Sequence, residues 1–205
     1  MVEHYTRAHP SQQYEELISQ FAALHSGGVP ESDLPPEAVF RGQALAEHVG
    51  QLLRVVREFG VRTMLDYGCG KAELYKTTNT LRMSDGRSYN SLQSLLGVEA
   101  TLYDPAFLPY EQRPEGLHDL VVCTDVLAHC SEADLPWIVD DLFAYAVKFV
   151  FATIDVHTRE VVSPRTVHDP LWWEALIRSA AIRYPHIRYQ FLYSDGLEEP
   201  VAVDG

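Results

Sequence analysis

Ten residues, Thr63-Met-Leu-Asp-Tyr-Gly-Cys-Gly-Lys-Ala72, constrain the chain more than any other stretch, because an apolar run leads straight into two closely spaced glycines. Thr63, Met64 and Leu65 have the character of a buried strand. Gly68 and Gly70 remove the two side chains that would keep the backbone from turning sharply or from approaching a ligand. Lys71 to Tyr75 has helix-forming composition, so the spacing predicts strand, glycine turn and helix, with the first helical N–H groups aimed at whatever lies over the turn. A tight turn with no ligand satisfies the same residues.

The spacing narrows the ligand. A dinucleotide fingerprint needs G-x-G-x-x-G and an acid far downstream. Here Asp66 stands two residues before Gly68, and the third small residue, Ala72, follows Gly70 after one spacer. No G-x-S-x-G, Walker loop or H-E-x-x-H pattern occurs, which argues against the commonest hydrolase, nucleotide-phosphate and zinc-protease readings.

Around this unit, helices alternate with strands. Ser11 caps a helix with Tyr14, Leu17, Ile18, Phe21 and Leu24 at helical spacing, ended by Gly27-Gly28. One reading packs this helix on a sheet face, and the other makes it a lid with Tyr14 or His25 turned to the ligand. A second helix carries Leu45, Val49, Leu52, Leu53 and Val56 up to Gly60. After the glycine turn, helix is expected to Asn79, loop from Met83 to Asn90, a short helix over Ser91 to Leu96, and a strand from Val98 to Asp104. Leu120-Val-Val-Cys-Thr124 is the continuous apolar run of a central parallel strand. Ser131 is expected to cap a helix carrying Leu135, Ile138, Val139, Leu142 and Phe143, and Lys148 to Ile154 is the next strand. Asp169-Pro170 opens a helix that buries Trp173, Leu176, Ile177 and Ala180, leaving Trp172 out of phase. Ile187 to Tyr193 and Val201 to Val203 form a final hairpin.

The predicted fold is therefore α/β: a doubly wound, mostly parallel Rossmann-like sheet with an antiparallel C-terminal edge strand and N-terminal helices. We expect one domain over residues 1–205, with 1–60 as helical cover and 61–205 as core.

Two stretches carry a family resemblance. Asp66-Tyr-Gly68-Cys-Gly70-Lys-Ala72 resembles the first motif of the class I methyltransferases that use S-adenosylmethionine, D/E-x-G-x-G-x-G, with Ala72 in place of the last glycine. Cys123-Thr-Asp-Val-Leu-Ala-His129 resembles the fourth motif of their small-molecule branch, often D-V-L-E-H, with Ala128 where the glutamate usually stands. The resemblance implies S-adenosylmethionine as cofactor, held by Asp66, Tyr67, Gly68, Cys69, Gly70, Asp104, Thr124, Asp125 and Val126. In that picture Asp66 helps to hold the aminopropyl end, and Asp104, at the end of the second strand, takes the ribose diol. A turn aspartate before Pro105 is the plain alternative for Asp104. As a strand-end carboxylate with little packing, Asp104 is expected to be replaceable by alanine at the expense of binding alone.

Ala72 and Ala128 erode the pattern, and so does the stretch after Asp104. Pro105 to Asp119 is too short for the further helix and strand that the family fits there, so a shortened or missing third strand is expected, and the adenine contact has no named residue.

Methyl transfer needs an acceptor held in line and, for a hydroxyl, a base. His129 and His157 are the imidazoles that the strand reading delivers to the carboxyl edge, with Asp125 or Asp155 to orient them. Either histidine alternatively closes a loop by hydrogen bonding. His168 is a third candidate, and Trp172 and Trp173 are candidates to line an acceptor pocket.

The implied function is methyl transfer to a small or medium-sized acceptor. Cofactor binding without transfer, in a regulatory or scaffold role, and another reaction of the same cofactor stay open. A net charge of -13 disfavours a long nucleic acid or an anionic membrane as partner. Cys69, Cys123 and Cys130 follow no metal-binding spacing and cannot pair completely, so a reduced, cytoplasmic setting with no metal site and no membrane span is expected.

Overall fold

A computed structural model of the chain describes residues 4–77, 81–83, 86–156, 166–194 and 201–204. In chain order the helices are α1 (Gln12–Gly27), α2 (Val49–Phe59), α3 (Leu92–Leu96), α4 (Leu135–Tyr145) and α5 (Pro170–Ala181). The strands are β1 (Thr63–Tyr67), β2 (Leu81–Arg82), β3 (Ser88–Tyr89), β4 (Glu99–Tyr103), β5 (His118–Thr124), β6 (Ala146–Asp155), β7 (Arg188–Ser194) and β8 (Val201–Asp204).

The main sheet runs β4-β1-β5-β6-β7-β8. Its first five strands are parallel, and β8 returns antiparallel on β7 as the edge. This is the Rossmann-like α/β architecture that the sequence predicts. Side chains alternate across it. Leu65, Val121, Cys123, Val150 and Ala152 point into the layer that holds α4 and α5. Met64, Leu120, Val122, Phe149 and Phe151 point into the layer that holds α2 and α3. Apolar residues on both faces are why β1 and β5 read as near-continuous hydrophobic runs.

The expected gap is there as well. Among the described residues β4 pairs only with β1, and between it and β5 the chain makes a single 3-10 turn, Leu108–Tyr110. The sheet ends at β4.

Several caps form as predicted. Ser11 accepts the Tyr14 N–H at 3.1 Å, Asp169 accepts the Trp172 N–H at 3.0 Å, and Ser91 caps α3.

Other expectations are corrected. Over residues 71–77, the described part of the stretch expected to be helical, there is no α-helix: Ala72 is left-handed at φ 50°, and a 3-10 turn, Glu73–Tyr75, comes after it, while 78 and 79 lie outside the described residues. A left-handed residue cannot propagate a helix, and the Lys71 and Glu73 N–H groups are drawn instead to the carbonyls of Phe40 and Arg41. Leu45 lies in a 3-10 turn, Ala44–His48, that precedes α2. Part of the expected loop pairs as the β2/β3 ladder. Ser131 does not cap α4, which starts at Leu135 after Asp134; its hydroxyl donates to the Asp134 carboxylate.

No helix among the described residues is long and apolar enough to cross a membrane.

Candidate functional site

At the carboxyl ends of β1, β4 and β5, where β4 leaves the sheet open, lies a cavity of about 270 Å³. Every residue predicted to hold a cofactor lines it: Asp66, Tyr67, Gly68, Cys69 and Gly70 from the end of β1, Asp104 after β4, and Thr124, Asp125 and Val126 at the end of β5. His129 lines it too. Parallel strands in register bring these ends together: Asp66 stands opposite Leu102 on one side and Val122 on the other.

The glycine turn is held entirely by its own chain. Gly68 and Cys69 donate their N–H groups to the Tyr103 carbonyl at 2.7 and 3.1 Å, and Gly70 donates to Asp104 Oδ2 at 2.9 Å. Lys71, Ala72 and Glu73 donate to the carbonyls of Phe40, Cys69 and Arg41. Each N–H from Gly68 to Glu73 is therefore spent, and the turn is no phosphate cradle.

The need for glycine is also internal. At Gly68 (φ 87°) a Cβ would meet Val126 Cγ2 at 2.3 Å, and at Gly70 (φ 56°) the Phe40 carbonyl oxygen at 2.3 Å. The absent side chains make room for Val126 and for the 40–44 segment, while the backbone of the turn faces the cavity.

Carboxylates dominate the polar lining. Asp66 is buried, accepts the Tyr75 hydroxyl at 2.8 Å, and is pushed up to about 7 by burial, against the Tyr75 bond and helped by the charge of Asp104. Asp104 accepts one N–H on each oxygen, from Gly70 and from Ala106, both at 2.9 Å. Burial nonetheless raises its pKa. Asp125 is left-handed at φ 56°, and its Oδ1 lies 3.9 Å from His129 Nε2. Among the described residues no three His, Cys, Asp or Glu side chains are grouped to hold a metal ion. Three acids in one lining suit a ligand that brings cations or hydroxyls.

The roof comes from the N-terminal region. Tyr14, Leu17, Ile18, Phe21 and His25 of α1 all line the cavity, so its apolar stripe covers the opening rather than a sheet face. Two buried polar clusters fix the ends of α1. At its start, Asp134 accepts the Ser11 N–H at 3.0 Å, the Ser131 hydroxyl at 2.8 Å, Trp137 Nε1 at 2.8 Å and the Ser11 hydroxyl. At its end, Lys71 Nζ donates to the carbonyls of His25 at 3.2 Å, Val39 at 3.0 Å and Pro36.

Residues 40–44 form a strap against the back of the glycine turn and line the cavity, a feature that sequence reading missed. The signal was Gly42, where at φ 74° a Cβ would meet the Cys69 carbonyl oxygen at 2.5 Å.

The other candidates lie elsewhere. Asp155 closes β6 and is not among the described lining residues; His157 falls outside the described residues. His168 binds Glu132 at 2.8 Å and stacks on Trp172 with ring centroids 3.9 Å apart, also away from the cavity. Trp173 is wholly buried among core side chains, so neither tryptophan lines the pocket. No protein-family profile and no curated protein sequence matches the chain.

Proposed function

We propose that the chain binds S-adenosylmethionine and transfers its methyl group to a small acceptor. One observation carries the reading: Asp66 and Asp104 flank a glycine turn whose N–H groups are all occupied, and both acids line one cavity. A phosphate would find the N–H groups of the turn already spent, two carboxylates against it, and Arg41 of the lining already paired with Glu73. A ligand with an ammonium group, a sulfonium and a ribose diol brings positive charge and hydroxyl donors to match these two acids. Each Asp104 oxygen already accepts one N–H and has a lone pair left, so the carboxylate can take both hydroxyls of a diol. A cation beside Asp66 offsets the burial that keeps its proton on.

The cofactor, when bound, supplies a methyl group already attached to a good leaving group. The chain's part is to hold, to exclude water and to move a proton. Leu17, Ile18 and Phe21 of the α1 stripe line the cavity and shield that part of it from water. His129, which lines the cavity with the Phe21 ring edge-on at 5.9 Å, is the base in this reading. Asp66 and Asp104 would hold the cofactor, leaving the proton of an acceptor hydroxyl to be removed by one of the chain's own side chains. His129 takes the acceptor proton, and Asp125 stabilises the imidazolium.

The test uses S-adenosylmethionine carrying a tritiated methyl group, incubated with the protein and a small-molecule extract. Label moves to an extract component with the wild type. With His129→Ala it moves about 100-fold more slowly, while affinity for S-adenosylhomocysteine stays within about twofold. Tight cofactor binding with no label moved would favour the non-transferring alternative.

A further inference from the structure

We propose that the last turn of α1 replaces the missing third strand as the wall for the nucleobase, with His25 as the residue that contacts the base. The inference rests on the cavity being a sulfonium-nucleoside site, and asks where the base goes once the sugar is at Asp104.

Two arms of chain lead from Asp104 to the same imidazole. Along the first, Ala106 N–H bonds Asp104 Oδ1 at 2.9 Å, Phe107 N–H bonds the Asp104 carbonyl at 3.2 Å, and the Phe107 ring stacks on His25 with centroids 4.6 Å apart and planes 26° from parallel. Along the second, Gly70 N–H bonds Asp104 Oδ2, the next residue's N–H bonds the Phe40 carbonyl at 2.8 Å, and the Phe40 ring sits 5.0 Å from His25. Among the described residues no strand pairs beyond β4, and Phe40 and His25, with Phe107 stacked on His25, stand there, the first two lining the cavity. A base attached to a ribose at Asp104 lies one sugar away, towards these rings.

His25 has the attributes of a contact residue waiting for a partner. It lines the cavity, is only 7% exposed, and its Nδ1 is buried with no hydrogen-bond partner. A buried ring nitrogen left unpaired is costly and rare in native proteins. Burial, with the Lys71 ammonium next to it, lowers its pKa to about 4, so the ring is neutral under ordinary conditions. The two nitrogens of a neutral imidazole point to opposite sides of the ring, so Nδ1 makes a single hydrogen bond to an adenine edge, as donor to a ring nitrogen or as acceptor from the amino group according to its tautomer. The strained Phe40, left-handed at φ 48°, is held by the Lys71 N–H bond to its carbonyl, and it fixes the ring's position before any ligand arrives.

The experiment titrates S-adenosylhomocysteine into the wild type, His25→Ala and His25→Gln by calorimetry, and follows the ring resonances of histidine labelled with nitrogen-15. The His25 signals are identified by their loss in His25→Gln. His25→Ala is expected to bind about tenfold more weakly, His25→Gln to recover part of that loss through its own donor and acceptor, and the His25 ring resonances to shift at saturation. Saturating ligand that leaves the His25 ring unmoved, or His25→Ala binding as the wild type does, overturns this inference and leaves the cofactor reading standing. A wild type that binds no S-adenosylhomocysteine overturns both.

Discussion

Asp104 Oδ2 accepts the Gly70 N–H at 2.9 Å, so the acid at the end of β4 is a structural part of the turn at the end of β1. Two strand ends that the sequence can only place side by side are joined by this bond. The Asp104 carboxylate is consequently not the dispensable surface group that its position before a proline implies.

Asp104→Ala strands the N–H groups of Gly70 and Ala106, both of them in buried residues. The variant is expected to lose about 2–4 kcal/mol in urea unfolding as well as its ligand affinity. Asp104→Asn, which keeps one acceptor oxygen, loses less. An alanine variant as stable as the wild type would show that the two N–H groups find other partners.

Asp66 gives the fold a pH dependence of known sign. Its pKa is raised from the usual carboxylate range to about 7 by burial, so between these limits the folded chain holds a proton that the unfolded chain has released. Stability from this group is full below about pH 4 and declines as pH rises towards about 7. Asp66→Asn stays uncharged throughout. The difference in urea midpoint between variant and wild type therefore grows in the variant's favour from about pH 4 to about pH 7 and levels off above it. A constant difference would mean that Asp66 titrates normally.

Ala72 sits at φ 50°, where an L residue is strained and glycine is not. Ala72→Gly is expected to stabilise the fold by about 0.5–1 kcal/mol, read as a higher urea midpoint with an unchanged slope. Gly70→Ala acts in the opposite sense, since its Cβ would lie 2.3 Å from the Phe40 carbonyl oxygen and force the strap off the turn. A lower midpoint for Ala72→Gly would show that the alanine methyl packs better than it strains.

Asp134 is wholly buried, and hydrogen bonds from Ser11, Trp137 and Ser131 outweigh burial to hold its pKa below the usual carboxylate range. Asp134→Ala is expected to cost about 2–4 kcal/mol and to release the start of α1, exposing residues 12–27 to proteolysis before the sheet unfolds. Protease resistance in that segment equal to the wild type would show that Lys71 alone secures the roof.

The sheet was legible because periodicity and apolar runs are local signals. Leu120 to Thr124 reads as a central strand whatever packs on it, and the missing third strand is visible in the shortness of Pro105 to Asp119. The acids and glycines at the strand ends follow from the same arithmetic. What stayed hidden depends on contacts between residues far apart in sequence. The helix expected after Gly70 fails because the Phe40 and Arg41 carbonyls, some thirty residues earlier, take the N–H groups that would start it. Ser131 looks like a cap until Asp134, which also binds Ser11 across 123 residues, takes its hydroxyl. Lys71 reads as the first residue of a helix, but its ammonium holds the end of α1 over the cavity. Asp155 carries the right chemistry, and only its place relative to the cavity distinguishes it from Asp125.

Calorimetric titration of the wild-type chain with S-adenosylmethionine and S-adenosylhomocysteine, with adenosine triphosphate as the anionic control, tests the central claim most directly. The account predicts saturable one-to-one heat with both sulfur nucleosides, lost in Gly70→Ala, and none with the triphosphate. Absence of heat with either sulfur nucleoside, or binding of the triphosphate in their place, would contradict it.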